Sequence, residues 1–231
     1  MRVIFGPAHI AWLLGIAITA VLLANLARRG PAPGLALRIV LACLLGGSEL
    51  QRYFHDGLAW PSHLPLQLCN IAAWVAVAAC LTLSPLAVEY VYFVGLAGAG
   101  MAVITPDMGA DWPARFFISH GTLIVTACVL TFGSMAPLRP GAVLRVYSLL
   151  IAVAGVMGIF DWAFGTNYLY LRRKPSASSI LNWMGPWPVY LIPMALLALS
   201  LFWLLWLLWL PWRSRSAQRS GTHIYLREAE S

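Results

Sequence analysis

The sequence predicts an all-α, polytopic membrane protein of seven transmembrane helices, with its N-terminus outside and its C-terminus cytoplasmic. Three observations carry this prediction. Of the 231 residues, 61% are hydrophobic and only 10% are charged, so there are too few ionisable groups to coat a water-facing surface and lipid must solvate most of the exterior. Apolar windows long enough to cross a bilayer recur along the chain. The fifteen Lys and Arg residues sit in short groups between those windows, and they form none of the continuous basic stripe that nucleic-acid binding requires, despite a net charge of +7. The eleven tryptophans suit a membrane interface.

The windows centre on residues 8–26, 35–54, 67–83, 86–105, 116–134, 143–163 and 188–210. Their separators carry ordinary helix-stop chemistry: Arg28-Arg29-Gly30-Pro31, Trp60-Pro61, Ser84-Pro85, Pro106-Asp107, Pro137 to Pro140, then Pro175, Pro186 and Pro188. The first window lacks a small-residue cleavage site behind it, so it is expected to be a retained helix. Residues 1–212 form the membrane domain in this division, and 213–231 a polar, basic, cytoplasmic tail. With the N-terminus outside, nine basic residues fall inside (Arg28, Arg29, Arg38, Arg139, Arg145, Arg213, Arg215, Arg219, Arg227) and six outside (Arg2, Arg52, Arg115, Arg172, Arg173, Lys174), the direction that the positive-inside rule favours.

Polar groups are distributed unevenly between the two ends of these helices. The outer ends hold Glu49, Gln51, Arg52, Tyr53, His55 and Asp56; His63, Gln67, Cys69 and Asn70; Arg115, Ser119 and His120; and Asp161, Asn167 and Tyr168. The inner ends offer little beyond Glu89 and arginines. Ionisable groups in an apolar layer are costly unless they face a cavity or each other, so a pocket at the outer leaflet is expected. Glu49 and Arg52 stand three apart and pair either as a structural clamp or as part of a binding site. The cations Arg172, Arg173 and Lys174, together with Arg52 and Arg115, suit a phosphate head group; an anionic-lipid anchor explains the first three equally well.

Cys43, Cys69, Cys80 and Cys128 lie in apolar stretches with no CxxC or Cys/His ligand spacing, so neither a disulfide framework nor a metal site is expected. Cys69 differs from the others because it falls in the first turn of the third helix, where unpaired amides favour a thiolate. His120 lies at a similar depth from the same side, and neutral imidazole can take a thiol proton and return it to a leaving hydroxyl. A buried structural cysteine and a histidine bonded to a carbonyl are the bland alternatives. Gly121, next to His120, would let another helix or an acyl chain approach closely.

The segments Pro65-Leu66-Gln67-Leu68-Cys69-Asn70, Phe117-Ile118-Ser119-His120-Gly121, Asn167-Tyr168-Leu169-Tyr170 with Lys174-Pro175, and Gly185-Pro186-Trp187-Pro188-Val189-Tyr190 resemble the motifs of bacterial YwaF-like integral membrane proteins. Those are related to a eukaryotic transmembrane acyltransferase that places polyunsaturated chains in ether phospholipids. The resemblance implies a seven-helix enzyme of the bacterial cytoplasmic membrane with Cys69 as nucleophile and His120 as base. Its substrates would be membrane phospholipids, with a lipid or thioester as acyl donor and no cofactor. In that reading Gln67, Asn70, Ser119, Asn167 and Tyr168 donate to an oxyanion or orient the reacting groups. A non-catalytic transporter or lipid-binding protein is the alternative.

Overall fold

A computed structural model describes residues 5–106, 114–175 and 180–229, the side chains of Asp56, Ile180 and 214–229 excepted. It is an all-α membrane protein. The helices are α1 (Pro7–Ala27), α2 (Pro31–Asp56), α3 (Leu68–Thr82), α4 (Pro85–Tyr90), α5 (Leu96–Ile104), α6 (Ala114–Phe132), α7 (Ala142–Phe164) and α8 (Leu191–Ala229). A π-helical turn, Val91–Gly95, joins α4 to α5, so that Pro85–Ile104 forms one continuous apolar segment. Among the described residues six segments are long and apolar enough to cross a membrane, and α3 is a shorter apolar helix of 15 residues. At 1.5 Å per residue α3 reaches only about 22 Å, less than the roughly 30 Å of a hydrocarbon core.

Prolines and glycines stand where several helices begin and end, among them Pro31 and Pro85 of the separators read from the sequence. Pro7, Pro31 and Pro85 open α1, α2 and α4, where a missing N–H costs nothing. Gly57 closes α2 with φ 75° and Gly165 closes α7 with φ 72°, left-handed conformations that glycine adopts without a Cβ clash. Two boundaries differ from the windows. α8 begins at Leu191, behind the turn that follows Pro188, and its helical backbone runs past Pro211 to Ala229, over the stretch assigned to the tail.

Between helices in lipid the hydrophobic effect supplies little, and close packing of small residues does more of the work. α1 and α6 show this. A methyl group placed on Gly121 would lie 2.8 Å from Ile16 Cγ1, and one on Gly133 would lie 2.9 Å from the Ala27 Cβ. It is therefore a helix, not an acyl chain, that occupies the space beside Gly121. α3 presents Ala72, Ala73, Ala76 and Ala79 to the buried interior, where the π-helical turn, with Tyr92 and Phe93 fully buried, meets them. Tyr92 carries its hydroxyl to the Leu205 carbonyl of α8 at 2.9 Å. The outward faces are apolar and exposed, as at Val156, Ile159 and Trp162 on α7 and Leu204, Leu207 and Leu208 on α8, which is the surface that lipid solvates.

One end of the bundle is closed by charge. Glu89 on α4 is fully buried. Its carboxylate receives Arg139 Nε at 2.8 Å, Arg139 Nη2 at 3.0 Å, Arg145 Nε at 3.0 Å and the Arg139 amide at 3.1 Å. Two more arginines finish helices: Arg28 Nε donates to the Phe132 carbonyl at 2.5 Å and Arg38 Nε to that of Cys80 at 2.5 Å. Cations at helix C-termini are favourable because carbonyls and the macrodipole converge there. These arginines, counted for orientation in the sequence, are also structural caps.

Removing the shared carboxylate should loosen this end. Glu89→Ala should lower unfolding stability by roughly 2–4 kcal/mol, somewhat under the ~3–5 kcal/mol of a wholly buried pair because both guanidinium groups reach water. Thermal unfolding of the detergent-solubilised protein measures it. An unchanged midpoint would show that the triad contributes nothing.

Candidate active site

At the opposite end, α2, α3 and α6 enclose a cavity of about 360 Å³. α2 contributes Leu45, Ser48, Glu49, Gln51, Arg52 and His55; α3 contributes Cys69, Asn70 and Ala73; α6 contributes Arg115, Phe116, Ile118, Ser119, His120 and Leu123. Each set follows helical spacing, so each is one stripe of its helix. Leu45, Ala73 and Leu123 are buried and give the cavity an apolar floor, while Gln51, His55, Arg115 and Ile118 are exposed. The mouth therefore combines cationic groups with an apolar residue that faces the surroundings of the bundle.

The α2 wall is held by Glu49, which is buried. Arg52 Nη2 donates to Glu49 Oε2 at 3.0 Å, Tyr53 Oη to the same oxygen at 3.2 Å, and Asn70 Nδ2 lies 3.1 and 3.2 Å from the two oxygens. The Arg52 guanidinium also stacks over the Tyr53 ring, 4.7 Å from its centroid. Trp74 Nε1 donates to Tyr53 Oη at 2.7 Å. The pair expected at Glu49 and Arg52 is thus one edge of a network that fastens α2 to α3. Asn70 directs its amide nitrogen at this carboxylate, both oxygens of which lie within reach of one N–H, and so is held to Glu49. Arg52 Nε is buried and has no hydrogen-bond partner.

Cys69 stands at the second position of α3. The first amide to close on the helix is that of Asn70, which bonds the Gln67 carbonyl at 2.9 Å, so the Leu68 and Cys69 amides remain as donors at the helix start. Across the cavity His120 Nδ1 lies 2.9 Å from the Phe116 carbonyl. A carbonyl only accepts, so Nδ1 carries the proton and Nε2 keeps its lone pair. Ser119 Oγ is 3.1 Å from the same carbonyl and 3.4 Å from Nδ1, and the Phe116 ring lies 4.2 Å from the imidazole between centroids. Cys69 and His120 line the same cavity, and no hydrogen bond joins them among the described residues.

The other expected site residues do not line it. Gln67 accepts the Leu169 amide at 3.2 Å. Asn167 closes its own loop: its Oδ1 accepts the Arg172 and Arg173 amides, each at 2.9 Å, and its Nδ2 donates to the Arg173 carbonyl at 2.9 Å. Tyr168 is buried and donates to the Pro61 carbonyl at 2.8 Å, while it accepts the Leu64 amide at 2.9 Å. Gln67 and Tyr168 tie the loop after α7 to the loop between α2 and α3. Asp161 anchors that tie: it is fully buried, and its Oδ1 receives Thr166 Oγ1 at 2.6 Å and the Tyr168 amide at 2.8 Å. Arg172 is turned to the Asp161 carbonyl at 2.9 Å, and Lys174 lies over the Tyr190 ring at 5.4 Å. Among the expected cations only Arg52 and Arg115 border the cavity. Asp107 lies outside the described residues. No three His, Cys, Asp or Glu among the described residues stand close enough to hold a metal ion.

Leu45, Ser48, Ala73, Phe116, Ile118 and Leu123 were not singled out in the sequence. The signal was there: Leu45, Glu49 and Arg52, Cys69 and Ala73, and Phe116, His120 and Leu123 repeat at three- and four-residue spacing.

Tyr168 offers a test of these separate duties. Tyr168→Phe should cost about 1–3 kcal/mol, because the Leu64 amide loses its acceptor, yet leave the labelling rate of Cys69 by a small thiol reagent within about twofold at temperatures where both proteins are folded. Asn70→Leu should change that labelling rate, since it frees the Glu49 carboxylate beside the thiol. Thermal unfolding and mass-resolved alkylation read the two effects; equal labelling in all three proteins would contradict the division.

A search of curated proteins and a search of solved structures gave no match to this chain. The scan of family models did: residues 4–206 match the TMEM164 family, and with nearly all of its membrane portion covered the chain belongs to that family of multi-pass membrane proteins.

Proposed function

We propose that this protein is an integral-membrane acyltransferase or transacylase that works on phospholipid esters through a cysteine thioester. One observation carries the reading: Cys69 and His120, contributed by separate helices, line a single cavity with an apolar floor and arginines at its mouth. The motif resemblance to YwaF-like proteins and their acyltransferase relatives points the same way. The topology proposed with it has seven spans, α3 completing the count, with the N-terminus outside and residues 213–231 in the cytoplasm of a bacterial cell. α3 is short, so its start lies below the membrane surface. That recess puts Cys69 at the depth of a glycerol ester.

In the first step His120 Nε2 takes the Cys69 thiol proton as Sγ attacks the ester carbonyl. The oxyanion is met by the Leu68 and Cys69 amides, whose donors aim out of the helix start, and by the buried Arg52 Nε–H. The C–O bond then breaks, His120 protonates the departing alcohol of the lysolipid, and the acyl group remains as a thioester. In the second step an acceptor hydroxyl attacks the thioester, His120 takes its proton, and the thiolate leaves and is reprotonated. The Phe116 carbonyl holds the tautomer that both steps need. Arg52 and Arg115 neutralise the phosphate, and Asn70 acts as a positioning residue through Glu49. Arg172, Arg173 and Lys174 attract anionic head groups to the same end of the bundle.

The absence of a hydrogen bond between Cys69 and His120 favours a second reading, a lipid-binding or transport protein in which the cavity holds a lipid without reacting. Catalytic contacts often tighten only when substrate binds, so activity separates the two.

Wild type, Cys69→Ser and Cys80→Ala should be reconstituted in phospholipid vesicles carrying a labelled acyl chain. Wild type and Cys80→Ala should redistribute the label and hold some of it on protein in a hydroxylamine-sensitive form. Cys69→Ser should fall to background. His120→Ala should lose about 10²–10⁴-fold in turnover, and the double variant should be little worse than either single one. Equal redistribution by wild type and Cys69→Ser would sink the mechanism; none by any protein would favour the binding reading. For orientation, a cysteine placed in the loop at Pro137 should resist membrane-impermeant reagents in intact cells, and labelling there would reverse the topology.

A further inference from the structure

A second concavity lies at the end of the bundle opposite Cys69, a groove of about 970 Å³ between the ends of α1 and α6, the start of α2 and the middle of α8 at Trp209 and Arg213. We propose that this groove binds the phosphate of an anionic membrane phospholipid, held by Arg28, Arg38 and Arg213 with the Thr131 hydroxyl donating to one of its oxygens. This does not depend on the acyl-transfer reading.

Three features argue for it. First, the lining brings together guanidinium groups from three helices and includes no Asp or Glu. Arg38 is held in place by its bonds to the Cys80 carbonyl at 2.5 Å and the Leu81 carbonyl at 3.0 Å, which occupy two of its five N–H donors and leave the rest for another acceptor. Arg213, exposed at the rim, donates to nothing among the described residues. Pre-positioned guanidinium groups match phosphate oxygens in paired geometry. Second, Thr131 is 6% exposed, and its Oγ1 is buried with no hydrogen-bond partner. A buried hydroxyl that donates to nothing is destabilising, and the groove that it lines is the place for an acceptor. Third, the groove lies where spanning helices end, the depth of head groups. Leu35, 53% exposed, borders it, so a chain-bearing ligand meets apolar surface beside the cations. A free phosphate would use the arginines and leave that surface unused.

Native mass spectrometry of the full chain in a mild detergent, titrated with phosphatidylglycerol, phosphatidylcholine or inorganic phosphate, tests the assignment. Wild type should retain a phosphatidylglycerol molecule about tenfold more tightly than phosphatidylcholine. Arg38 caps α3, so its replacement risks the fold; Arg213→Gln and Thr131→Val touch no protein partner and are the variants to use. Each should weaken phosphatidylglycerol retention by about five- to tenfold, a range set by one charge-assisted contact. Arg29→Gln, next to the groove but outside its lining, should change it less than twofold. Equal retention of both lipids by wild type would overturn the proposal, as would a loss in Arg29→Gln equal to that in Arg213→Gln, the mark of diffuse surface charge. Displacement of phosphatidylglycerol by millimolar inorganic phosphate would assign the groove to a soluble phosphate and overturn the lipid.

Discussion

A carboxylate inside a bundle that lipid surrounds must find its donors within the protein, and Glu49 and Glu89, the glutamates buried among the described residues, organise its two ends accordingly. Glu89 gathers Arg139 and Arg145 and so joins α4 to the loop before α7 and to α7 itself. Glu49 gathers Arg52, Tyr53 and Asn70 and so joins α2 to α3. Each replaces several water contacts with protein donors, which is the condition for keeping such a group in the apolar layer at all. The middle of the bundle needs no such device. There, glycine and alanine let α1 meet α6, and α3 meet the π-helical turn, at distances no larger residue would allow.

The arrangement at the Cys69 end follows from these ties. With Glu49 fixing Asn70, the first turn of α3 has one orientation against α2, and Cys69 in that turn is carried to the wall that α6 completes. Packing of Gly121 on Ile16 sets α6 against α1 and leaves its other face, with His120 and Leu123, toward the cavity. The histidine is prepared by its own helix: the carbonyl one turn earlier takes the Nδ1 proton. The loop after α7 reaches across this end and is fastened by Tyr168 and Asp161 rather than by its cations. A site built on three rigid helices and braced from a neighbouring loop can hold its groups steady while lipid moves past it.

The arginines illustrate how one residue serves two physical demands. In the sequence they record a bias across the membrane; in the fold Arg28 and Arg38 also end α6 and α3 by donating to carbonyls in their last turns. The second role explains why they stand at particular helix ends rather than anywhere in the loops.

Much of the architecture was legible from residue order alone. Apolar windows, prolines at helix starts and glycines at helix ends are local chemistry, and α1, α2, α6 and α7 begin and end within a few residues of their expected places. The positions of Cys69 and His120 near the starts of α3 and α6 were legible for the same reason, since distance from a helix end is counted along the chain. What the chain could not disclose is which faces turn toward one another. Gln67, Asn167 and Tyr168 go into loop contacts and do not line the cavity, Asn70 is claimed by Glu49, and Arg172 by a backbone carbonyl. Leu45, Ala73 and Leu123 looked like ordinary core and became the cavity floor. Helix rotation decides all of these, and rotation is set by long-range packing of small residues and by pairing of buried polar groups, neither of which is written in any one stretch of sequence.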